Sequence, residues 1–185
     1  INGCTSAATQ MLKAKVSKTG YENTDKSSED LQNAIDKLAG KKSTVFKDAR
    51  ESKDTSKVTA AAQELIDKYN SLVKVMSKMS SSLDEFYKKA LKGLPESIKE
   101  SLEKVGITYN SDGTLEVDSD KLKKADVDSL EKIFGSDSEF MKKLSFVTDR
   151  IESNAEANLQ SVSSTYSSTA DIMSSFNSSK YDFLG

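Results

Sequence analysis

The feature that most constrains this chain is a long apolar stripe in residues 58–90. Its members recur at steps of four and three without a slip, which is the spacing of one face of a helix. They are Val58, Ala62, Leu65, Tyr69, Leu72, Met76, Met79, Leu83, Phe86 and Ala90. The stripe predicts one unbroken helix of about 50 Å, at 1.5 Å per residue. Such a face is stable only when a second surface covers it. The covering helix must therefore come from the same chain or from another molecule.

A second long stripe near the C-terminus supplies this partner. The predicted helix begins at Ser136 or Ser138. Its apolar positions are Phe140, Leu144, Val147, Ile151, Ala155, Leu159, Val162, Tyr166, Ala170, Met173 and Phe176. Because residues 94–137 lie between the two stripes and return the chain, we expect the two helices to run antiparallel.

Residues 94–137 combine helical and alternating patterns. Gly93 and Pro95 are expected to end the first stripe and begin a helix with Ile98, Leu102 and Val105 on one face. The apolar period then changes to two on either side of an Asn-Ser-Asp-Gly turn at 110–113, which predicts a β-hairpin. Short helices follow at 118–125 and 127–134.

The N-terminal region is expected to contain two separate helices. The first covers residues 5–18 and is ended by Gly20, and a polar linker follows at 21–26. The second carries Leu31, Ala34, Ile35 and Leu38 on one face and is closed by Gly40.

The predicted fold class is therefore mainly α, a long antiparallel helical hairpin or coiled coil with N-terminal helices and a small α/β knob containing the β-hairpin. We divide the chain into residues 1–93, with the N-terminal helices and first long helix, residues 94–137, the knob, and residues 138–185, the second long helix.

Composition excludes several classes of chemistry. Histidine is absent and there is one cysteine, so His-based triads, His-ligated zinc sites and an internal disulfide are excluded. The 27 basic and 29 acidic residues are interleaved, and we interpret the lysine pairs as solvated helix faces, not as a nucleic-acid surface. We expect no catalytic, cofactor-binding or metal-binding residues, and no enzyme activity. A small enzyme, the competing hypothesis, needs a concave pocket with convergent titratable groups.

Two motifs have ordinary structural explanations. Asn110-x-Asp112-Gly113 superficially suggests a calcium loop, but Thr108 and Ser119 would then stand where carboxylates are required, so a hairpin turn is favoured. The carboxylate pairs Asp118 with Asp120 and Asp126 with Asp128 are interpreted as helix caps.

The sequence shows no apolar run long enough to span a membrane. Cys4 follows Ile-Asn-Gly, so it is either the lipidated residue of a surface lipoprotein or an ordinary thiol.

Four segments, in this order, resemble motifs of the flagellar filament cap proteins, also called hook-associated protein 2. Residues 61–72 (AAQELIDKYNSL) are similar to the helix with a "YN-x-L" signature, and residues 105–122 to the "GI…DGTL.LD..KL" hairpin and helix. Residues 127–135 resemble the "V..LF" helix, and residues 172–181 the closing "MNSQ..YL" segment. The signature positions carried over are Tyr69, Asn70, Gly106, Asp112, Gly113 and Leu115.

The resemblance implies a helical leg built from both terminal regions. Relatives insert bulky β-rich domains before the YN helix, whereas here that interval is only Gly40–Lys57. The resemblance also implies an exported structural protein that is extracellular, on the bacterial flagellum. The implied partners are flagellin or other axial proteins, and homo-oligomers are possible. Some relatives also take part in adhesion. The alternative is an adhesin or general coiled-coil interaction module, anchored to the cell surface through Cys4.

The association face is expected on the second long helix, where its stripe extends into a serine-rich end. Its residues are Leu159, Val162, Tyr166, Met173 and Phe176. Alternatively, these side chains pack on the N-terminal helices.

Overall fold

The computed structural model describes residues 7–178, which form eight helices and one two-stranded antiparallel sheet. The elements are α1 (Ala7–Ala39), α2 (Val45–Ser52), α3 (Ser56–Met76), α4 (Ser82–Ser97), α5 (Lys99–Lys104), β1 (Ile107–Tyr109), β2 (Leu115–Val117), α6 (Ser119–Lys124), α7 (Val127–Phe134) and α8 (Glu139–Ser178). The predicted class, mainly α with a β-hairpin, is confirmed. The division at residues 93 and 137 stays a prediction, and Cys4 lies outside the described residues.

The two longest helices, α1 and α8, pack against each other in antiparallel directions. Gln32 Nε2 on α1 donates to Ser145 Oγ on α8 at 2.7 Å. Tyr21, which comes earlier than Gln32 on α1, packs with Ala155, which comes later than Ser145 on α8. Helix α3 lies on a different side of α1, where Lys37 pairs with Glu64 at 2.8 Å. The long partner of α8 is therefore α1, whereas the sequence pattern assigned that place to the helix of residues 58–90.

The expectation of one unbroken helix over residues 58–90 is wrong. Helix α3 ends at Met76 and α4 begins at Ser82, with a turn between them. Ser81 and Asp84 form a capping box, in which Asp84 N donates to Ser81 Oγ at 3.0 Å and Ser81 N donates to Asp84 Oδ2 at 3.2 Å. This reciprocal cap satisfies the free N–H groups at the start of α4 and so stabilises the break.

Beyond the break, α4 packs antiparallel to α8. Asp84 near its start contacts Asn154, whereas Ile98 just after its end lines one surface pocket with Phe140. The second part of the expected helix therefore runs antiparallel to α8, although its stripe residues Leu83 and Phe86 are 47 % and 64 % exposed. Gly93 and Pro95 lie inside α4, which corrects the expected helix boundary there.

The expected pair of N-terminal helices is a single helix. Gly20 lies within α1, and a Cβ at this position would stand 2.9 Å from Met79 Sδ, so the glycine permits close approach of the α3–α4 turn. The expected linker begins at Tyr21, which is buried, as are Thr24 and Ser28 after it. Packing on α3 and α8 thus stabilises a helix that local sequence does not indicate. The four apolar residues expected to face the core are buried: Leu31, Ala34, Ile35 and Leu38.

The hairpin and the two helices that follow it are confirmed. Strands β1 and β2 pair with Ile107 opposite Val117 and Tyr109 opposite Leu115. Asp118 caps α6 by accepting from Lys121 N at 3.0 Å, and Asp126 caps α7 by accepting from Ser129 N at 2.8 Å. The capping interpretation is correct for Asp118 and Asp126, whereas Asp120 lies inside α6 and Asp128 pairs with Arg50 at 2.7 Å.

Both long helices continue past the α3–α4 turn, which contacts α1 at Gly20. There Met79 packs with Tyr21 and Ala155, and Leu159 lies against this small cluster. We call residues 7–19 of α1 and 160–178 of α8 the projecting pair. They extend for roughly 20 and 28 Å beyond the turn. Among the helices in residues 7–178, none combines the length and the apolar character that a membrane span needs.

Candidate functional site

Tyr69 connects the middle of α3 to the hairpin turn. Its ring is buried, with 1 % exposure, and its hydroxyl donates to the carbonyl oxygen of Gly113 at 2.8 Å. Burial, followed by the nearby Tyr109 and Asp112, raises the pKa of the Tyr69 phenol far above its ordinary value. The hydroxyl therefore acts as a structural hydrogen-bond donor and not as an acid or base at neutral pH.

Asn70 binds the backbone of β2 through both atoms of its side-chain amide. Nδ2 donates to the Leu115 carbonyl oxygen at 2.7 Å, and Leu115 N donates to Oδ1 at 2.8 Å. Thr114 O, one residue earlier, accepts from Asn110 N, so the Leu115 groups point away from β1. The amide of Asn70 thus occupies the hydrogen-bonding place that a third strand would take.

The turn that receives Tyr69 is held by its own short-range hydrogen bonds. Asp112 Oδ1 accepts from Thr114 N at 2.9 Å and from Thr114 Oγ1 at 2.6 Å, and these bonds lower the pKa of the Asp112 carboxyl. Gly113 has φ +91°, and a Cβ there would lie 2.5 Å from a side-chain carbon of Lys92. Only glycine fits this backbone position without strain.

Five of the six signature residues therefore meet at one place, which we call the α3–hairpin junction: Tyr69, Asn70, Asp112, Gly113 and Leu115. Gly106 lies at the other end of the hairpin, with φ +88°, and its carbonyl accepts from Asp118 N at 2.8 Å. The sequence marks these residues by resemblance, but it does not indicate that they contact one another.

The expected association face lies on α8, partly in the projecting pair. Leu159 and Val162 are half-buried, and Leu159 packs against the Tyr21–Met79–Ala155 cluster. Because this cluster includes Tyr21 of α1, it supports the alternative that Leu159 packs on the N-terminal helix. The side chains of Tyr166, Met173 and Phe176 lie outside those that the structure describes.

Sequence reasoning missed two exposed apolar residues on α1. Leu12 is 63 % exposed and Val16 is 66 % exposed, and they line a groove of about 840 Å³ beside the α3–α4 turn. The sequence pattern puts both residues in the short helix expected at 5–18, on roughly one side with Met11, and indicates no function for them. Their spacing of four residues was the available signal, because it puts them on one side of any helix.

A buried carboxylate at the α3–α4 turn was also missed. Asp84 is 3 % exposed, and besides its capping role it accepts from Tyr21 Oη at 3.2 Å and from Asn154 Nδ2 at 3.1 Å. Burial, and then the charge of Asp84, raises the pKa of Tyr21. The single side chain of Asp84 thus ties α4 to both long helices where the projecting pair begins.

An acidic cluster spans the contact between α1 and α8. Carboxylate oxygens of Asp25, Glu152 and Glu156 lie within 4.8 Å of one another. Burial raises the pKa of Glu152, and the neighbouring carboxylates, with Asp25 the largest contributor, raise it further. This cluster weakens the helix contact electrostatically when all members are ionised.

The C-terminal half of the chain matches a known protein family. A family model described as flagellar hook-associated protein 2 C-terminus matches residues 94–183, from the last turn of α4 to beyond the described part of α8. Three of the four motifs quoted from the sequence begin within this segment, whereas the Tyr69–Asn70 motif precedes it. No curated protein and no solved structure gave a significant match to the chain.

The matched segment contains β1, β2, α6, α7 and the described part of α8. The family is one of structural flagellar proteins. Residues 94–183 of this chain therefore belong to the family of the flagellar hook-associated protein 2 C-terminus.

Proposed function

We propose that this protein is an exported, non-enzymatic assembly component of the bacterial flagellum that works, like a filament cap, through contacts between helices. Family membership of residues 94–183 supports the flagellar role. We call the described residues outside the projecting pair, 20–159, the body. The single observation that carries the mechanism is the projecting pair, since two long helices continue beyond the helices that cover them in the body. A helix with an uncovered apolar face is stabilised by packing against a neighbour.

The association face on α8 is the surface that we assign to this contact. Leu159 and Val162 begin it, and Tyr166, Met173 and Phe176 continue the same stripe along the helix. Its partners are flagellin or other axial proteins of the flagellum, and further copies of this chain, outside the cell. Exposed or half-buried apolar stripes of this kind are typical of interaction surfaces.

The α3–hairpin junction has a different task in this proposal. Its signature residues, together with Gly106, fix residues 94–137 as a knob against α3 so that α8 leaves the body in one direction. The signature is therefore a mark of the fold, and partner contacts belong to the projecting pair.

The test introduces charge into the association face. The purified chain is mixed with flagellin, and rings or larger assemblies are measured by light scattering and negative-stain electron microscopy. We expect Tyr166→Asp combined with Met173→Asp to reduce assembly at least tenfold, because two buried charges oppose apolar packing.

The matched control is Ser164→Asp combined with Ser168→Asp. These two exposed serines lie on the opposite side of the same helix and hydrogen-bond only to backbone carbonyls one turn earlier. Circular dichroism checks that both double variants keep their helix content. Normal assembly by the Tyr166 and Met173 double variant would reject the association face.

A further inference from the structure

The side of α1 that faces α3 continues, uncovered, into the projecting pair. In the body this side is marked by two ion pairs, Lys37 with Glu64 at 2.8 Å and Asp30 with Lys68 at 3.8 Å. Val16 lies two heptads before Asp30 and so falls on the same side of the helix. Helix α3 ends at Met76, and Val16 is left 66 % exposed.

The uncovered surface is a groove of about 840 Å³ with an apolar floor. Leu12, Val16 and Met79 line it, and the first two are 63 % and 66 % exposed. Side chains of this type contribute roughly 1.5–3 kcal/mol each when fully buried. A helix lying along the continuation of α3 would cover both residues of α1.

Both exposed charged residues that line this groove are lysines. Lys15 and Lys78 line the groove itself and are exposed. The buried Asp84 at its base is already bonded to Tyr21, Asn154 and Ser81. A complementary partner therefore carries carboxylates beside its apolar residues.

We propose that this α1 groove binds an acidic amphipathic helix of another protein, aligned with α3. Its apolar stripe covers Leu12 and Val16, and glutamate or aspartate side chains on its flanks face Lys15 and Lys78. This inference goes beyond the proposed function, because it assigns a partner chemistry to α1 and does not depend on the association face of α8.

The test measures peptide binding to the full chain. The probe is a labelled synthetic helix of three heptads with Leu at positions a and d and Glu at e and g, and the comparator has Lys at e and g. We expect the Glu peptide to bind at least tenfold more tightly in fluorescence anisotropy, and added salt to reduce this preference. Leu12→Asp combined with Val16→Asp should weaken its binding at least tenfold.

The matched control is Phe146→Asp. Phe146 is an apolar residue of α8 that is 60 % exposed, as Leu12 and Val16 are, but it lies in the body and does not line the groove. We expect this variant to bind the Glu peptide as the native chain does. Lys15→Glu combined with Lys78→Glu should reverse the preference in favour of the Lys peptide, without changing the apolar floor.

Three outcomes would overturn the proposal. They are equal binding of the two peptides, full binding by the Leu12 and Val16 double variant, and a concentration-dependent dimer that this variant abolishes, which would make the occupant a second copy of the chain. Because the measurement contains no flagellin, a negative result leaves the proposed function standing, and failure of the flagellin experiment leaves this inference standing.

Discussion

At the scale of residues, the α3–hairpin junction explains why the polar residue Asn70 lies on the buried side of α3. Local patterns were sufficient to predict the hairpin, because strand alternation and turn residues are adjacent in sequence. They were not sufficient to assign Asn70, whose hydrogen-bond partner Leu115 is 45 residues away. Resemblance identified Tyr69 and Asn70 as signature residues, and only the folded chain shows the physical reason for that choice.

Asn70→Ala should lower the free energy of unfolding by about 2–3 kcal/mol. The substitution leaves the partly buried N–H and C=O of Leu115 without their partners, and unmade hydrogen bonds of buried groups carry this cost. Urea unfolding followed by circular dichroism measures it. The control is Gln63→Ala on the same helix, whose amide contacts only the exposed Asp67 at 3.3 Å and whose loss should cost less than about 0.5 kcal/mol. Equal losses in the two variants would contradict the role of the junction.

At the scale of elements, the helix boundaries depended on which neighbours the helices meet. The apolar stripe of residues 58–90 continues through the α3–α4 turn because Met79 packs on Tyr21 and Ala155 there, not because the helix continues. Leu83 and Phe86 belong to the stripe yet are 47 % and 64 % exposed. The Ser81-x-x-Asp84 pattern was the local signal of a helix start that the stripe concealed.

The two glycines inside helices should respond differently to alanine. Gly93→Ala should stabilise the protein by about 0.5–1 kcal/mol, because alanine favours the helix and nothing lies within 4 Å of the new Cβ. Gly20→Ala should gain less or destabilise, since its Cβ would meet Met79 Sδ at 2.9 Å. Thermal unfolding of both variants checks this difference. An equal gain would mean that the α3–α4 turn does not press on α1.

At the scale of the whole molecule, composition and periodicity were enough for the class but not for the pairing of helices. The two apolar stripes predict two long helices that pack on each other, whereas α1 is a third long helix that lies between the other two as their common neighbour. Its buried face includes Thr24 and Ser28, whose hydroxyls bond to carbonyls of their own helix at 2.9 and 2.8 Å. Thr24 falls in the expected linker at 21–26 because a polar residue in sequence gives no sign of burial among other helices.

The contact between α1 and α8 should strengthen as the pH falls. Since the folded protein raises the pKa of Glu152, the folded state holds this proton more tightly than the unfolded state does. The contribution of Glu152 to stability is therefore most favourable below the ordinary glutamate pKa and declines as the pH rises through the raised value. Glu152→Gln should stabilise the protein at pH 7.5 by about 0.5 kcal/mol and have little effect at pH 4.

Thermal unfolding at the two pH values measures this prediction. Glu139→Gln is the control, because Glu139 is an exposed residue of the same helix, with a side-chain exposure of 75 %, and its carboxylate neighbours Lys142. It should not stabilise the protein at either pH. A stabilisation by Glu152→Gln that is the same at pH 4 and 7.5 would show that the charge of Glu152 is not its source.

The amide of Asn70 has one more consequence. A two-stranded sheet normally leaves main-chain groups on its outer side free to recruit a strand from another molecule, which is a route to aggregation. Here the Leu115 groups on that side of β2 are already engaged by a side chain of the same polypeptide. Crowded copies therefore have less opportunity to join strand to strand at this position.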